Sequence, residues 1–200
     1  MSDTPPLKIN VYHASGLISE FVQYDQAAAL EFLGQLQPRK IFTPRVLVLS
    51  GDFSVSNIVS HQVSRIDFLT QENVPCEFPD WISDLTVVPT HEEFLTATGL
   101  DRGEPARRSH SFFPGEEFEG HIACHLLGAE PVYARVRGTM SVAVELRSRL
   151  VHLFELPALQ FKRPDGGITI VNPANLVRIT MFPGPPGLGS DVWPVESITL

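Results

Sequence analysis

The sequence predicts a mainly β protein of the α+β class, made of two related β-rich units, each with a short helix ahead of a bent antiparallel sheet or small barrel. Three observations lead there. The 200 residues are 43% hydrophobic and only 19% charged, and they include 17 prolines. Short apolar runs punctuated by proline suit strands better than a helical bundle. Apolar and polar residues alternate through 118–126 and again through 132–144, the period of a half-buried antiparallel hairpin. Finally, the chain echoes itself. Pro44–Phe68 lies on Pro157–Met181 without a gap, with Pro44/Pro157, Asp52/Asp165, Arg65/Arg178 and Ile66/Ile179 identical. Pairs such as Val46/Leu159, Val48/Phe161, Val55/Ile168 and Ile58/Val171 are apolar in both copies. A repeat speaks to architecture rather than to chemistry.

Taken in order, Leu7–Tyr12 and Leu17–Tyr24 alternate well enough to be strands. Asp25 is placed to cap a helix over QAAALEFLGQL, because its carboxylate can accept the free amide hydrogens of the first turn. Pro38 closes that helix. The first copy of the repeat follows: strand, turn at Asp52, strand, a short break, and a last strand ending in Arg65-Ile66. Thr90 with Glu93 three residues on is a capping box for a short helix at His91–Thr98. Gly99–Glu117 reads as a long loop. The alternating hairpin comes next, with Gly138 marking a bend or bulge in its second strand. Leu146, Leu150, Leu153 and Phe154 then fall at helical spacing, and Pro157 opens the second copy of the repeat.

This gives a first β-rich unit at 7–90, a helix and linker at 91–117, a second β-rich unit at 118–182 and a Pro/Gly-rich tail at 183–200. A unit of roughly 60 residues buries too little surface to be comfortable alone. The two are therefore expected to pack together, as a pseudo-twofold pair or within one continuous sheet.

The net charge is −8, unevenly spread. Residues 1–131 hold eight Lys/Arg against eighteen Asp/Glu, so −10, and residues 132–182 hold seven against three, so +4. The basic stretch is either a face for an acidic partner or nucleic acid, or a surface that docks on the acidic half. A long polyanion is disfavoured by the overall charge, since phosphate contacts dominate such affinity. The first residues lack a basic region followed by an apolar one, and no apolar run reaches the roughly 20 residues of a membrane span. A cytoplasmic protein with buried thiols at Cys76 and Cys124 is expected.

Candidate chemistry is sparse. His121 and His125, with His110 and Cys124 nearby, are the best metal candidates. On a helix they would share a face one turn apart, whereas on a strand they lie about 13 Å apart. The alternation favours the strand, so no metal and no cofactor are expected. His91-Glu92-Glu93 lacks the second histidine of a zinc-protease helix. A nucleophile elbow and a phosphate loop are both absent, and Pro164-Asp165-Gly166-Gly167 reads as a hairpin turn. The repeated Arg65 and Arg178 are either a paired anion site or structural clamps on nearby carboxylates or carbonyls. Tyr133, Arg135 and Arg137, on the polar side of the hairpin, are the first choice of contact surface.

The strand, short amphipathic helix and V-N-P-A-N-L-V-R-I run (Val171–Ile179) resemble small β-rich bacterial domains of uncharacterised function. The pattern is also similar to Sm-like small barrels, whose helix precedes a strongly bent sheet. It covers about 25 residues of each half. The resemblance implies a β-rich fold and lends no activity, because no residues here match the Sm-like nucleic-acid pockets. The expected function is a non-catalytic binding or assembly module with a protein partner or a second copy, helped by edge strands that invite pairing. Binding of nucleic acid or an anionic ligand through the basic half is the alternative, and a small enzyme with a site between the units is the third reading.

Overall fold

The computed structural model describes residues 5–103, 115–139 and 152–184. Two expected elements, the helix at Leu146–Phe154 except for its end and the tail beyond Gly184, lie outside them, as does His110. The fold is β-rich with two helices among the described residues, as the composition and alternation predict. Eleven strands are present: β1 (Leu7–His13), β2 (Ile18–Gln23), β3 (Val46–Ser50), β4 (Val55–Val59), β5 (Val63–Leu69), β6 (Ile82–Val87), β7 (Glu117–Leu126), β8 (Ala129–Thr139), β9 (Leu159–Lys162), β10 (Ile168–Val171) and β11 (Leu176–Phe182). Helix α1 spans Gln26–Gln35 and α2 spans His91–Thr98. Both start at the caps the sequence marks. Asp25 accepts from the Ala28 amide at 2.7 Å and Thr90 Oγ1 from the Glu93 amide at 3.1 Å.

Nine strands form one sheet in the order β11-β7-β8-β6-β9-β10-β5-β1-β2, and β3-β4 form a second, two-stranded sheet. All neighbours are antiparallel except β6 and β9, which meet in parallel at Thr86 and Lys162. The large sheet is open, ending at β2 and β11 among the described residues. The expectation of a small barrel is corrected here, and side-chain alternation supplies the reason. Cross-strand partners run from Ile9 through Phe68, Ile168, Lys162, Thr86, Arg135 and His121 to Phe182, and so share one face. On that face Ile9, Val11, Ile66, Phe68, Ile168 and Ile170 make a first core, covered by α1 and by Leu47, Leu49 and Ile58 of the small sheet. The second core stands on the other face, from Leu85, Ile122, Cys124, Val132, Ala134, Val136, Leu159, Phe161 and Val171. A sheet with a core on each face has no single interior to close around.

A displacement of 113 residues relates the registers of the two ends of this sheet. All six residue pairs that join β1 to β5, from Lys8–Leu69 to His13–Val63, recur at that displacement between β7 and β11, from His121–Phe182 to Leu126–Leu176. The irregularity that skips Ser64 recurs at Val177. Five of the six β1–β2 pairs recur between β7 and β8. The short 3-10 turns at Ser60–Gln62 and Pro173–Asn175 keep the same spacing. In β3 and β9 the ungapped alignment of the sequence fails by one residue. Leu47 pairs with Ile58 and Leu159 with Val171, so Leu47 corresponds to Leu159 and Leu49 to Phe161. The turn after β9 holds one residue more than the turn after β3.

The tip of the β7–β8 hairpin folds back onto the other end of the sheet. Ser64 Oγ donates to the Leu127 carbonyl at 2.6 Å. Gly128 has a φ of 67° and sits so close that a Cβ would overlap the Ala14 carbonyl. Only glycine meets both demands. This contact brings the start of β8 over the start of β5 and creates a cleft between them.

Candidate functional site

The cleft has a volume of about 470 Å³ and draws its walls from both ends of the chain. On one side, β5 contributes Arg65 and Asp67, two residues apart and therefore on one face. Thr169 of β10 stands opposite Asp67, and Arg163 follows β9 in the hairpin turn. On the other side run Val87–His91, leading from β6 into α2, and Glu130–Tyr133 at the start of β8.

The polar groups are tightly engaged. Arg65 Nη2 lies 3.2 Å from Asp67 Oδ2, with the two side chains only 12% and 5% exposed. The Arg65 guanidinium also stacks on the Tyr12 ring at 3.8 Å and donates to the Glu130 carbonyl at 3.4 Å. Arg163 Nη1 lies 4.0 Å from the same Asp67 oxygen, and its guanidinium forks onto Asp165 at 3.1 Å through Nε and Nη2. Three buried polar atoms here are left without a protein partner: Arg65 Nε, Asp67 Oδ1 and Asn10 Oδ1 of the neighbouring strand. A buried donor or acceptor left unmade is costly and calls for an explanation.

Of the residues singled out in the sequence, Arg65 and Tyr133 line this cleft. The Tyr133 ring stacks on His91 at 5.0 Å and on Phe94 at 4.6 Å, beneath α2. Burial, with the charge of Glu130, pushes its hydroxyl pKa up. Arg135 and Arg137 stand outside the cleft on the opposite sheet face, in cross-strand ion pairs. Arg137 pairs with Glu119. Arg135 and Lys162 flank Asp84 at 3.7 and 3.1 Å. Burial alone would raise the Asp84 carboxyl, but hydrogen bonds from Thr86 and Lys162 and the charges of Lys162 and Arg135 outweigh it and hold it low.

Arg178 is six strands from Arg65 in the sheet order and on the other face, so the two do not share a site. They do share a local arrangement, since Arg178 bonds His125 Nε2 at 2.9 Å, where Arg65 stacks on Tyr12. His121 and His125 lie on β7, four residues and about 13 Å apart along the strand. Burial pushes both imidazoles down, with Glu119 opposing and Arg135 adding at His121, and Arg178 adding at His125. No cluster of three or more His, Cys, Asp or Glu suited to a metal occurs among the described residues. The thiols of Cys124 and Cys76 are pushed up to about 12 and about 11 by burial. Among the described residues no helix is long and apolar enough to cross a membrane.

Asp67 and Arg163 were not singled out in the sequence. The signal for Asp67 was available, because alternation alone puts it on the same face as Arg65. Arg163 carried none, since its reach to Asp67 depends on β10 pairing with a strand about one hundred residues earlier.

No family model, curated protein or solved structure matches the chain.

Proposed function

We propose that this chain is a non-catalytic binding module built from two related β-rich units, 7–69 and 120–182, with a small-molecule site at their junction. The observation that carries the site is the Arg65–Asp67 pair, buried in the cleft wall with one donor and one acceptor unmade. A ligand that presents an acceptor to Arg65 beside a donor for Asp67 completes both. A carboxylate next to an amine or hydroxyl has that pattern, so the ligand class is a small amino or hydroxy acid. Charges in the wall nearly balance, Arg65 and Arg163 against Asp67 and Asp165, which suits a zwitterion better than a polyanion. Arg135, Arg137 and Arg178 are each engaged with a neighbour, which weighs against nucleic acid as the partner. The module is expected to be cytoplasmic and to need no cofactor.

Titration of the ¹⁵N-labelled protein with L-serine and with L-malate tests this. Saturable shifts are expected at the amides of Arg65, Asp67, His91 and Thr169, and these are expected to weaken in R163Q. If neither probe gives saturable shifts by about 10 mM, an affinity near −3 kcal/mol, the ligand reading fails and the unmade atoms belong to water.

A further inference from the structure

The β9–β10 hairpin lies between the two cores. Leu159, Phe161 and Val171 point into the second, while Ala158, Ile168 and Ile170 point into the first. The β3–β4 hairpin occupies the corresponding place in the chain and has the same order of turn, strand, 3-10 turn and strand. It buries only one face. Leu47, Leu49 and Ile58 meet the first core, but on the other face Val46, Val48, Val55 and Val59 are 37%, 61%, 59% and 40% exposed. A hairpin apolar on both faces has the composition of one buried on both. Exposed edges are normally guarded by charge or proline, and β4 (VSNIV) carries neither.

A matching gap exists at the far end of the sheet. β5 holds β1 on one edge and β10 on the other. β11 stands to β7 as β5 stands to β1, yet among the described residues only β7 pairs with it. The consequence shows in burial. Ile66 and Phe68 of β5 are each 2% exposed under β10, whereas their counterparts Ile179 and Met181 of β11 are only partly buried. The period also continues in the sequence, since Ile82, Leu85, Thr86 and Val87 of β6 recur 113 residues later as Val195, Ile198, Thr199 and Leu200.

We propose that a second copy of this chain fills the gap, laying its β4 antiparallel on β11. The contact inside the chain sets the register. Ile168–Phe68, Thr169–Asp67, Ile170–Ile66 and Val171–Arg65 become Val55 opposite the partner's Met181, Ser56 opposite the partner's Thr180, Asn57 opposite the partner's Ile179 and Ile58 opposite the partner's Arg178. The new contact continues the existing sheet. It is also directional. Passing from β5-β1-β2 to β11-β7-β8 keeps the strand order, reverses strand direction and moves the core to the other face, which is a twofold screw along the sheet. A contact repeated by a screw is head-to-tail and does not close, so copies add in rows. This proposal rests on 7–69 and 120–182 being related units and is independent of the ligand cleft, whose titration is read separately.

Sedimentation velocity of the full chain over a range of concentrations is the first test. The mean mass is expected to rise with concentration past that of a dimer, and V48K/V55K, altered at two exposed positions, is expected to stay monomeric with an unchanged circular dichroism spectrum. The second test uses two conservative variants, S56C and T180C. Mixed under mild oxidation they are expected to give a disulfide-linked heterodimer, while each alone gives none through the new thiol. A wild-type chain that stays monomeric throughout overturns the proposal. So does V48K/V55K sedimenting like wild type, with an unrelated protein or a lipid surface then the occupant of the face. S56C cross-linking to itself would replace the head-to-tail contact with a symmetric one.

Discussion

The two hairpins β3–β4 and β9–β10 share an order of elements and differ in what surrounds them. Val55 at the start of β4 is 59% exposed, and Ile168 at the start of β10 is fully buried. Local sequence explains little of this difference, because both strands read as short apolar runs. The difference comes from partners. β10 has β5 on its outer edge, and β4 has no such neighbour among the described residues. A strand's burial is thus set by which edge it finds, while its existence is set by its own residues and turn.

The largest expected effect comes from emptying the buried member of the pair. Ile168→Ala removes side-chain contacts from the first core and is expected to cost about 2–5 kcal/mol in denaturant unfolding. Val55→Ala is expected to stay within about 0.5 kcal/mol under conditions where the chain is monomeric. Similar losses at the two positions would break the comparison. The turns come next. Gly167 has a φ of 77°, and a Cβ there would overlap the Phe68 carbonyl. Gly51, in the other turn, would bring a Cβ only to 4.0 Å from the Ser54 carbonyl. Gly167→Ala is therefore expected to cost about 1–3 kcal/mol, measurable as a lower midpoint in urea, and Gly51→Ala to leave that midpoint almost unchanged.

The smallest effect sharpens the comparison between the sheet ends. β7 has His121 and His125 where β1 has Lys8 and Tyr12. Both imidazoles are held below the model value of 6.5 in the folded state. As pH falls through about 6.5 the unfolded chain takes up protons that the folded chain resists, so stability declines from that point until the folded-state values are passed. Hydrogen exchange is expected to show β7 and β11 losing more protection than β1 and β5 between neutral and mildly acid pH. Equal losses at the two ends would show that the histidines are not the cause.

Much of the fold could be read locally. Asp25 and Thr90 announce both helices, and alternation marks β7 and β8, although Pro131 falls inside β8 and not in the break before it. The repeat could be read too, with one slip. Sequence alone cannot tell a turn of four residues from one of five, and the extra residue after β9 moves that strand by one position. The pairing of β10 with β5 and of β6 with β9 was not legible. Such contacts join residues far apart in the chain and leave no periodic trace. The cleft inherits that blindness, since its wall forms only when Arg163 and Thr169 arrive beside Asp67. Arg65 drew attention because it repeats, and its repeated feature is the cross-strand ring beneath it, Tyr12 for Arg65 and His125 for Arg178.

Placing Ile168 and Ile170 in the first core has a consequence for synthesis. The ribosome delivers residues 7–69 long before it reaches Val171. Until then the nascent amino-terminal half holds an unfinished apolar surface along Ile66 and Phe68, open to wrong strands and to chaperones alike. Contacts of such long sequence separation also slow folding, so the interval between translation of β5 and arrival of β10 is when this polypeptide is most exposed to aggregation.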